Sequence, residues 1–301
     1  MQTSERDQID HRHILSLTSL EAAEFFEILP YFENEWNKYR SVYDLKGVAR
    51  IISKSSEDSR CSLKGNVAKL LFVLVYLKNN PLQSYQGFTF KMSQGKVSQW
   101  LKIVLPVWEK ALAKMDLLPA RDPDHLYLAL QLIAGQAVYL DATERPVSRS
   151  VDAEKQQHEY SGKKKRHTNK NLIISSESGK VLYLSATVTG SMHDKALADE
   201  MELKFLPGQG ILADSGFQGY EPEGGPELCL PVKKPRNGEL SDYDKMYNKL
   251  LASLRVKVEH VIAGIKKLRI VKDQIKLKSD QSRDRVMLIA AALQNLRCDH
   301  R

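Results

Sequence analysis

The sequence predicts an α/β protein: an all-α first part, then a mixed five-stranded sheet with flanking helices. Three observations predict it. Up to about residue 118 the apolar residues recur at helical spacing, whereas from Val138 onward they come in short runs of strand length. Between the two regimes, Pro119-Ala-Arg-Asp-Pro123 has the punctuation of a linker. The boundaries expected from this are an all-α domain over residues 1–120 and an α/β domain over residues 125–301.

In order along the chain, residues 1–16 are polar and charged and read as a loose segment. Residues 17–39 place Leu20, Phe25, Ile28, Leu29 and Phe32 at helical spacing, with a break expected near Pro30. Residues 65–77 form a strongly apolar helix stopped by Asn79, Asn80 and Pro81, and residues 81–88 suit a short second helix. Ser93 is placed to cap a third helix carrying Val97, Leu101 and Val104, and residues 106–118 continue as helix. Strands are expected at 138–141, 171–175, 181–188, 210–214 and 228–232, with a helix over 194–201.

Composition limits the possible partners and compartments. A chain of 301 residues with 42% hydrophobic and 27% charged residues is of ordinary globular type, and its net charge of +8 favours a polyanionic partner. The three cysteines, Cys61, Cys229 and Cys298, are far apart and lack a paired metal-type spacing, which suggests a reducing compartment. The first residues hold no apolar core for a signal peptide, and the longest apolar run, Leu70 to Leu77, is far below a membrane span. The expectation is a protein of the cytoplasm with no membrane partner.

Three carboxylates stand out. Asp141 follows the apolar run Val138-Tyr-Leu, and Asp214 follows Ile211-Leu-Ala with Gly216 and Phe217 just beyond. An ionised Asp at such a position is costly without a cation or hydrogen bonds. The third, Glu259, sits on a helix. On that helix Leu251, Leu254, Val258, Val261, Ile265 and Leu268 gather on one face, while Arg255, Glu259, Ile262 and Lys266 form a stripe about 110° away. Alone, Arg255 and Glu259 would read as an exposed ion pair at i, i+4. Two carboxylates at strand ends and one on a helix suit hard divalent cations, which take oxygen ligands.

These residues carry a resemblance. The stretches YLDATERP around Asp141, YSGKKKRHT from Tyr160, GSMHD ending at Asp194, ILADSGFQGY around Asp214, LPVKKP from Leu230 and RVKVEHVIAGIKK from Arg255 are similar, in order and spacing, to the DDE-type transposases of bacterial insertion sequences, in the Harbinger-related group. They cover about the C-terminal two thirds of the chain. Arg255, Glu259 and Lys266 match the spaced Arg/Glu/Lys signature around that family's last carboxylate. The resemblance implies a ribonuclease H-like catalytic domain in which the first and fourth strands are neighbours, bringing Asp141 beside Asp214 with Glu259 over them. It also implies two Mg²⁺ or Mn²⁺ ions on Asp141, Asp214 and Glu259, and DNA as partner, both terminal inverted repeats and target. A homo-oligomer that pairs two ends and a bacterial, nucleoid-associated location follow from the same resemblance. The expected activity is cleavage of phosphodiester bonds and transfer of 3′ ends.

The other polar residues have two readings each. The helices over about 62–112 fit a helix-turn-helix presenting Gln94, Lys96 and Gln99 to base edges, as the family implies, or an ordinary helical subdomain. Lys163, Lys164, Lys165 and Arg166 form a basic hairpin or loop suited to a DNA backbone, beside a plain solvated reading. Arg255 and Lys266 are suited to phosphate contact or to steadying Glu259. Glu144 is a strand-end charge or an accessory group. Asp194 favours a helix N-terminus that Ser191 could cap, and His193 could contact a phosphate. Two alternatives stand beside the transposase: a domesticated DNA-binding protein, and a metal-dependent endonuclease that cuts without joining.

Overall fold

The computed structural model describes residues 11–53 and 61–300. They form two compact units: residues up to Leu118 with those from Lys266 onward, and Pro119–Ile265. The first unit begins with α1 (His11–Thr18). Residues 11–16, expected to be loose, are helical because Ile14 is fully buried and the Thr18 hydroxyl donates to its carbonyl at 2.6 Å; residues 1–10 lie outside the described residues. The helix α2 (Ala22–Val42) starts in a capping box of Glu21 and Glu24 and runs unbroken through Pro30. The expected break is absent because Phe25, Ile28, Leu29, Phe32 and Trp36 are buried along one face. At about 1.5–3 kcal/mol each, their burial outweighs the ~3 kcal/mol an interior proline costs.

The next three helices follow the sequence closely. The apolar α3 (Gly65–Asn79) ends at Asn80, whose left-handed φ of 46° closes the helix. The short α4 (Gln83–Thr89) is followed by α5 (Gln94–Ala113), where Ser93 accepts from the Lys96 amide.

In the second unit, the expected linker at 119–123 is ordered. Ala120 hydrogen-bonds to Leu182 and Leu184, and Asp122 caps α6 (Pro123–Gln131) with proline at its first position. This helix was not foreseen. The strand β1 (Val138–Pro146) is followed by α7 (Ala153–Glu159), β2 (Tyr160–Ser161), β3 (Arg166–Ser176), β4 (Val181–Leu184) and β5 (Val188–Thr189). After α8 (Asp194–Glu200) come β6 (Gly210–Leu212), a 3-10 turn at Ser215–Phe217, β7 (Glu227–Cys229) and α9 (Asp242–Ile265). The sheet is mixed: β3 is antiparallel to β1, β2, β4 and β5, while β1, β6 and β7 run parallel in that order.

Alternation along β1 decides which side chain faces where. Val138 and Leu140 pack with Ile211, Ala213, Leu172 and Ile174, whereas Tyr139 and Leu212 pack with Leu251 and Val258 of α9. Of the apolar face expected on α9, Leu251, Val258, Val261 and Ile265 are buried, but Leu254 lies at its edge and is 38% exposed.

Residues from Lys266 return to the first unit as α10 (Arg269–Lys272) and α11 (Asp280–Asp299). The sequence reading carried the second domain through to residue 301; instead α11 packs on α5, and Asn295 donates to the Leu117 carbonyl at 2.9 Å.

Candidate active site

The site is built where β1 outruns its parallel neighbour. Tyr139 stands opposite Leu212, the last residue of β6, and an aspartate follows each two residues later, so Asp141 and Asp214 are level in register. Both therefore fall on the side of the sheet that carries Tyr139 and Leu212, the side of α9. Asp141 is not at a strand end as expected, since β1 continues to Pro146. Asp214 is, and its Oδ1 accepts from the Gly216 amide at 2.7 Å, which starts the 3-10 turn.

Burial is the main influence on Asp141. Its side chain is 18% exposed, and desolvation pushes its carboxyl up to about 6. The Ala142 amide and Arg255 work against this, while the negative charges of Asp214 and Asp194 add to it. Arg255 comes from α9: its Nη2 lies 3.5 Å from Asp141 Oδ2, and its buried Nε has no hydrogen-bond partner. Glu259, one turn further along, is exposed. Arg255 thus meets Asp141 rather than steadying Glu259.

A second group of charges lies beside this pair. Lys170 of β3 is buried, with its Nζ 2.8 Å from Asp194 Oδ1 and 3.8 Å from Glu144 Oε1. Thr168 donates to Glu144 Oε2 at 2.7 Å. Glu144 is therefore an internal partner, 6% exposed at its side chain, and not a solvated strand-end charge. Gly190 of the GSMHD stretch fits here because a Cβ would come within 1.9 Å of the Thr168 hydroxyl. The residue that caps α8 is His193, not Ser191; it makes no side-chain capping bond and is exposed. A Cβ on Gly216 would lie 2.8 Å from Asp214 Oδ1 and 2.9 Å from Asp194 Oδ2, so these two carboxylates converge on the bare glycine.

The expected DNA contacts are distributed as follows. Lys163, Lys164 and Lys165 form the exposed turn between β2 and β3, and Arg166 is the exposed first residue of β3. In the first unit Lys96 is exposed, Gln94 donates to Gln83 at 2.8 Å, and Gln99 is tied to the Leu45 carbonyl at 2.6 Å. Lys266 follows the end of α9 and is partly exposed.

Among the described residues no three His, Cys, Asp or Glu side chains are grouped tightly enough to hold a metal ion together. Mg²⁺ needs only one or two carboxylates and keeps several waters. The part-buried pair Asp141 and Asp214 fits such a cation, since the negative charge of Asp214 adds to what burial costs the ionised Asp141 and a cation would offset both.

Sequence reasoning missed Lys170 and Thr168. Their signal was weak: β3 is buried from Thr168 to Ser176, so no polar alternation marks them out.

A part-buried acidic pair where two neighbouring parallel strands of a mixed sheet part is the kind of site a nuclease-type enzyme uses. A family model described as DDE superfamily endonuclease matches residues 140–295, just over half of the chain, and the chain belongs to that family. Over 139 residues it is 33% identical to a protein of Microchaete diplosiphon described as a probable transposase for insertion sequence element IS702. That match covers 46% of this chain and 49% of the relative, so the chain spans about half the length of the relative it matches. The likeness supports a DDE-type transposase of the insertion sequences. No solved structure matches. No helix among the described residues is long and apolar enough to cross a membrane.

Proposed function

We propose that this chain is a transposase that binds the terminal inverted repeats of a mobile element, cleaves phosphodiester bonds there and transfers the 3′ ends to target DNA. The observation that carries this reading is the level placement of Asp141 on β1 and Asp214 just beyond the end of the parallel neighbour β6, with Asp141 raised to about 6. The path β2-β3-β1-β6-β7, with β4 and β5 also paired to β3, has seven strands rather than the five expected, and its change from antiparallel to parallel at β1 supports a ribonuclease H-like reading. Asp141 and Asp214 would hold two divalent cations, Mg²⁺ or Mn²⁺, and Glu259 would join them from α9. Bound there, the cations supply Lewis-acid polarisation of the phosphoryl group and offset charge that builds on its oxygens.

The chain's own residues do the rest. Asp141 must give up its proton for the site to load, and Arg255, with a free buried Nε, can donate to a phosphate oxygen. Lys163, Lys164, Lys165, Arg166 and Lys266 neutralise backbone phosphates. The pair α4 and α5 serves as the helix-turn-helix, with Gln94 and Lys96 at base edges; Gln99 joins them only by leaving the Leu45 carbonyl. Beside α5, a groove of about 960 Å³ within the first unit is lined by Lys102, Lys276 and Lys278 and by no acidic residue, which suits a polyanion. Two copies of the chain pair two ends, in the bacterial cytoplasm at the nucleoid.

The test is cleavage and joining of end DNA by the full chain in Mg²⁺. Asp141→Ala, Asp214→Ala and Glu259→Ala should each abolish cleavage while end binding persists. Near-normal cleavage by any of the three would remove that residue from the assignment, and free ends without joined product would reduce the activity to that of a plain endonuclease.

A further inference from the structure

Lys170 is 5% exposed, and a buried ammonium is costly unless it is paired and hydrogen-bonded. It meets two carboxylates, Asp194 at 2.8 Å and Glu144 at 3.8 Å, and donates to the Met192 carbonyl at 2.5 Å. One carboxylate would balance its charge, so the group as a whole carries an excess of one negative charge. Where that excess points is decided by Asp194. Its Oδ1 is held by Lys170, while its Oδ2 is turned to Gly216, next to Asp214 Oδ1. A helix-capping role would instead engage this carboxylate with the first-turn amides of α8, yet its hydrogen bond goes to Lys170.

The way Lys170 reaches Asp194 is fixed by the sheet. Lys170 pairs with Glu144 across β3 and β1 and alternates in phase with Leu172 and Ile174, on the face opposite α9. Asp194 therefore comes up beside Asp214 from the face of the sheet opposite α9, the helix that carries Arg255 and Glu259. The absent Cβ of Gly216 leaves the space in which the two carboxylates approach.

We propose that Lys170 is a positioning residue: it pins one oxygen of Asp194 so that the other stands beside Asp214 as a further anionic contact for the hydrated divalent cation. This rests on the assignment of that cation to Asp141 and Asp214. Groups that act on a metal through its ligands or waters typically change affinity by 10- to 100-fold when altered.

The test is Mn²⁺ binding to the full chain without DNA, followed by electron paramagnetic resonance of the free ion. Asp194→Asn keeps an acceptor for Lys170 and should weaken Mn²⁺ binding by about tenfold. Lys170→Met should weaken it as well, although deleting a positive charge would by itself strengthen cation binding. That sign separates positioning from simple charge balance. If Lys170→Met does not fold, Lys170→Gln takes its place with the same expected weakening, and tighter Mn²⁺ binding by it would overturn the proposal. Unchanged affinity in Asp194→Asn, together with a loss in Asp141→Asn, would overturn the proposal and leave the centre standing. Tighter Mn²⁺ binding by folded Lys170→Met would overturn it too. Unchanged binding in Asp141→Asn would sink the assignment of the centre itself, and this proposal with it.

Discussion

Arg255 Nη2 stands 3.5 Å from Asp141 Oδ2, while Glu259, one turn further along the same helix, is exposed. The side chain that α9 presents to Asp141 is thus a guanidinium rather than a third carboxylate. The charges of Asp214 and Asp194 already raise Asp141, and a further carboxylate beside it would raise it more. At 3.5 Å the guanidinium compensates only in part, because desolvation still dominates and the carboxyl remains near 6.

A stability prediction follows from that raised value. An unfolded Asp titrates near 4, so the folded state holds this proton more tightly. The resulting contribution to folding is complete below about pH 4 and is lost as the pH rises through 6. Asp141→Asn removes the penalty of ionising a part-buried carboxyl. The variant should therefore be more stable than the native chain at pH 7.5 in chelator, by on the order of 2–3 kcal/mol, and indistinguishable from it near pH 4. Thermal unfolding at the two pH values checks this, and an equal or lower melting temperature for the variant at pH 7.5 contradicts it.

Removing residues 266–301 should unfold the first unit. The α11 residues Val286, Ile289, Leu293 and Leu296 are all at most 1% exposed, and α11 packs on α5. Losing four such side chains at about 1.5–3 kcal/mol each approaches the whole stability of a domain. Trp36, Trp100 and Trp108, the chain's three tryptophans, all lie in this unit and are 3% exposed or less. Tryptophan emission of a chain ending at Ile265 should shift to the red, and native-like emission would show that the unit folds without its C-terminal helices.

What could be read from the sequence divides along physical lines. The strands carrying Asp141 and Asp214 were legible because apolar runs ending in a carboxylate are local patterns, and α3, α4 and the Ser93 cap were legible through their stop and start residues. The helix α6 had a local signal as well, Asp122 before Pro123, but the same residues also read as linker punctuation. Lys170 was not legible at all. Its partners lie 24 and 26 residues away, Asp194 along α8 and Glu144 through the β1–β3 register, and only tertiary packing makes the pair. Pro30 and Pro106 misled in the other direction or passed unmarked, since a buried face can override a helix breaker that propensity alone would obey.

The basic run from Lys163 to Arg166 gives the last prediction. It forms the tip of the β2–β3 hairpin, shaped by the Ser161 hydroxyl accepting from the Lys164 amide at 3.1 Å and by Lys165 at a φ of 51°. All four side chains are exposed, so they can be replaced with little effect on the core. If they neutralise phosphates, changing all four to alanine abolishes the accompanying release of counterions, and the slope of log affinity against log salt should fall by about 0.9 for each phosphate no longer neutralised. Preference for end DNA over random duplex should hardly change, because phosphate binding positions a duplex and carries no base information. Mn²⁺ binding should also be retained, since the carboxylates are elsewhere on the sheet. Affinities of the full chain and the fourfold variant across a salt series, on both DNAs, decide the matter. An unchanged slope would make the hairpin tip a solvated turn, and a weakened preference at constant slope would make it a reader of bases, in conflict with the role given to α5.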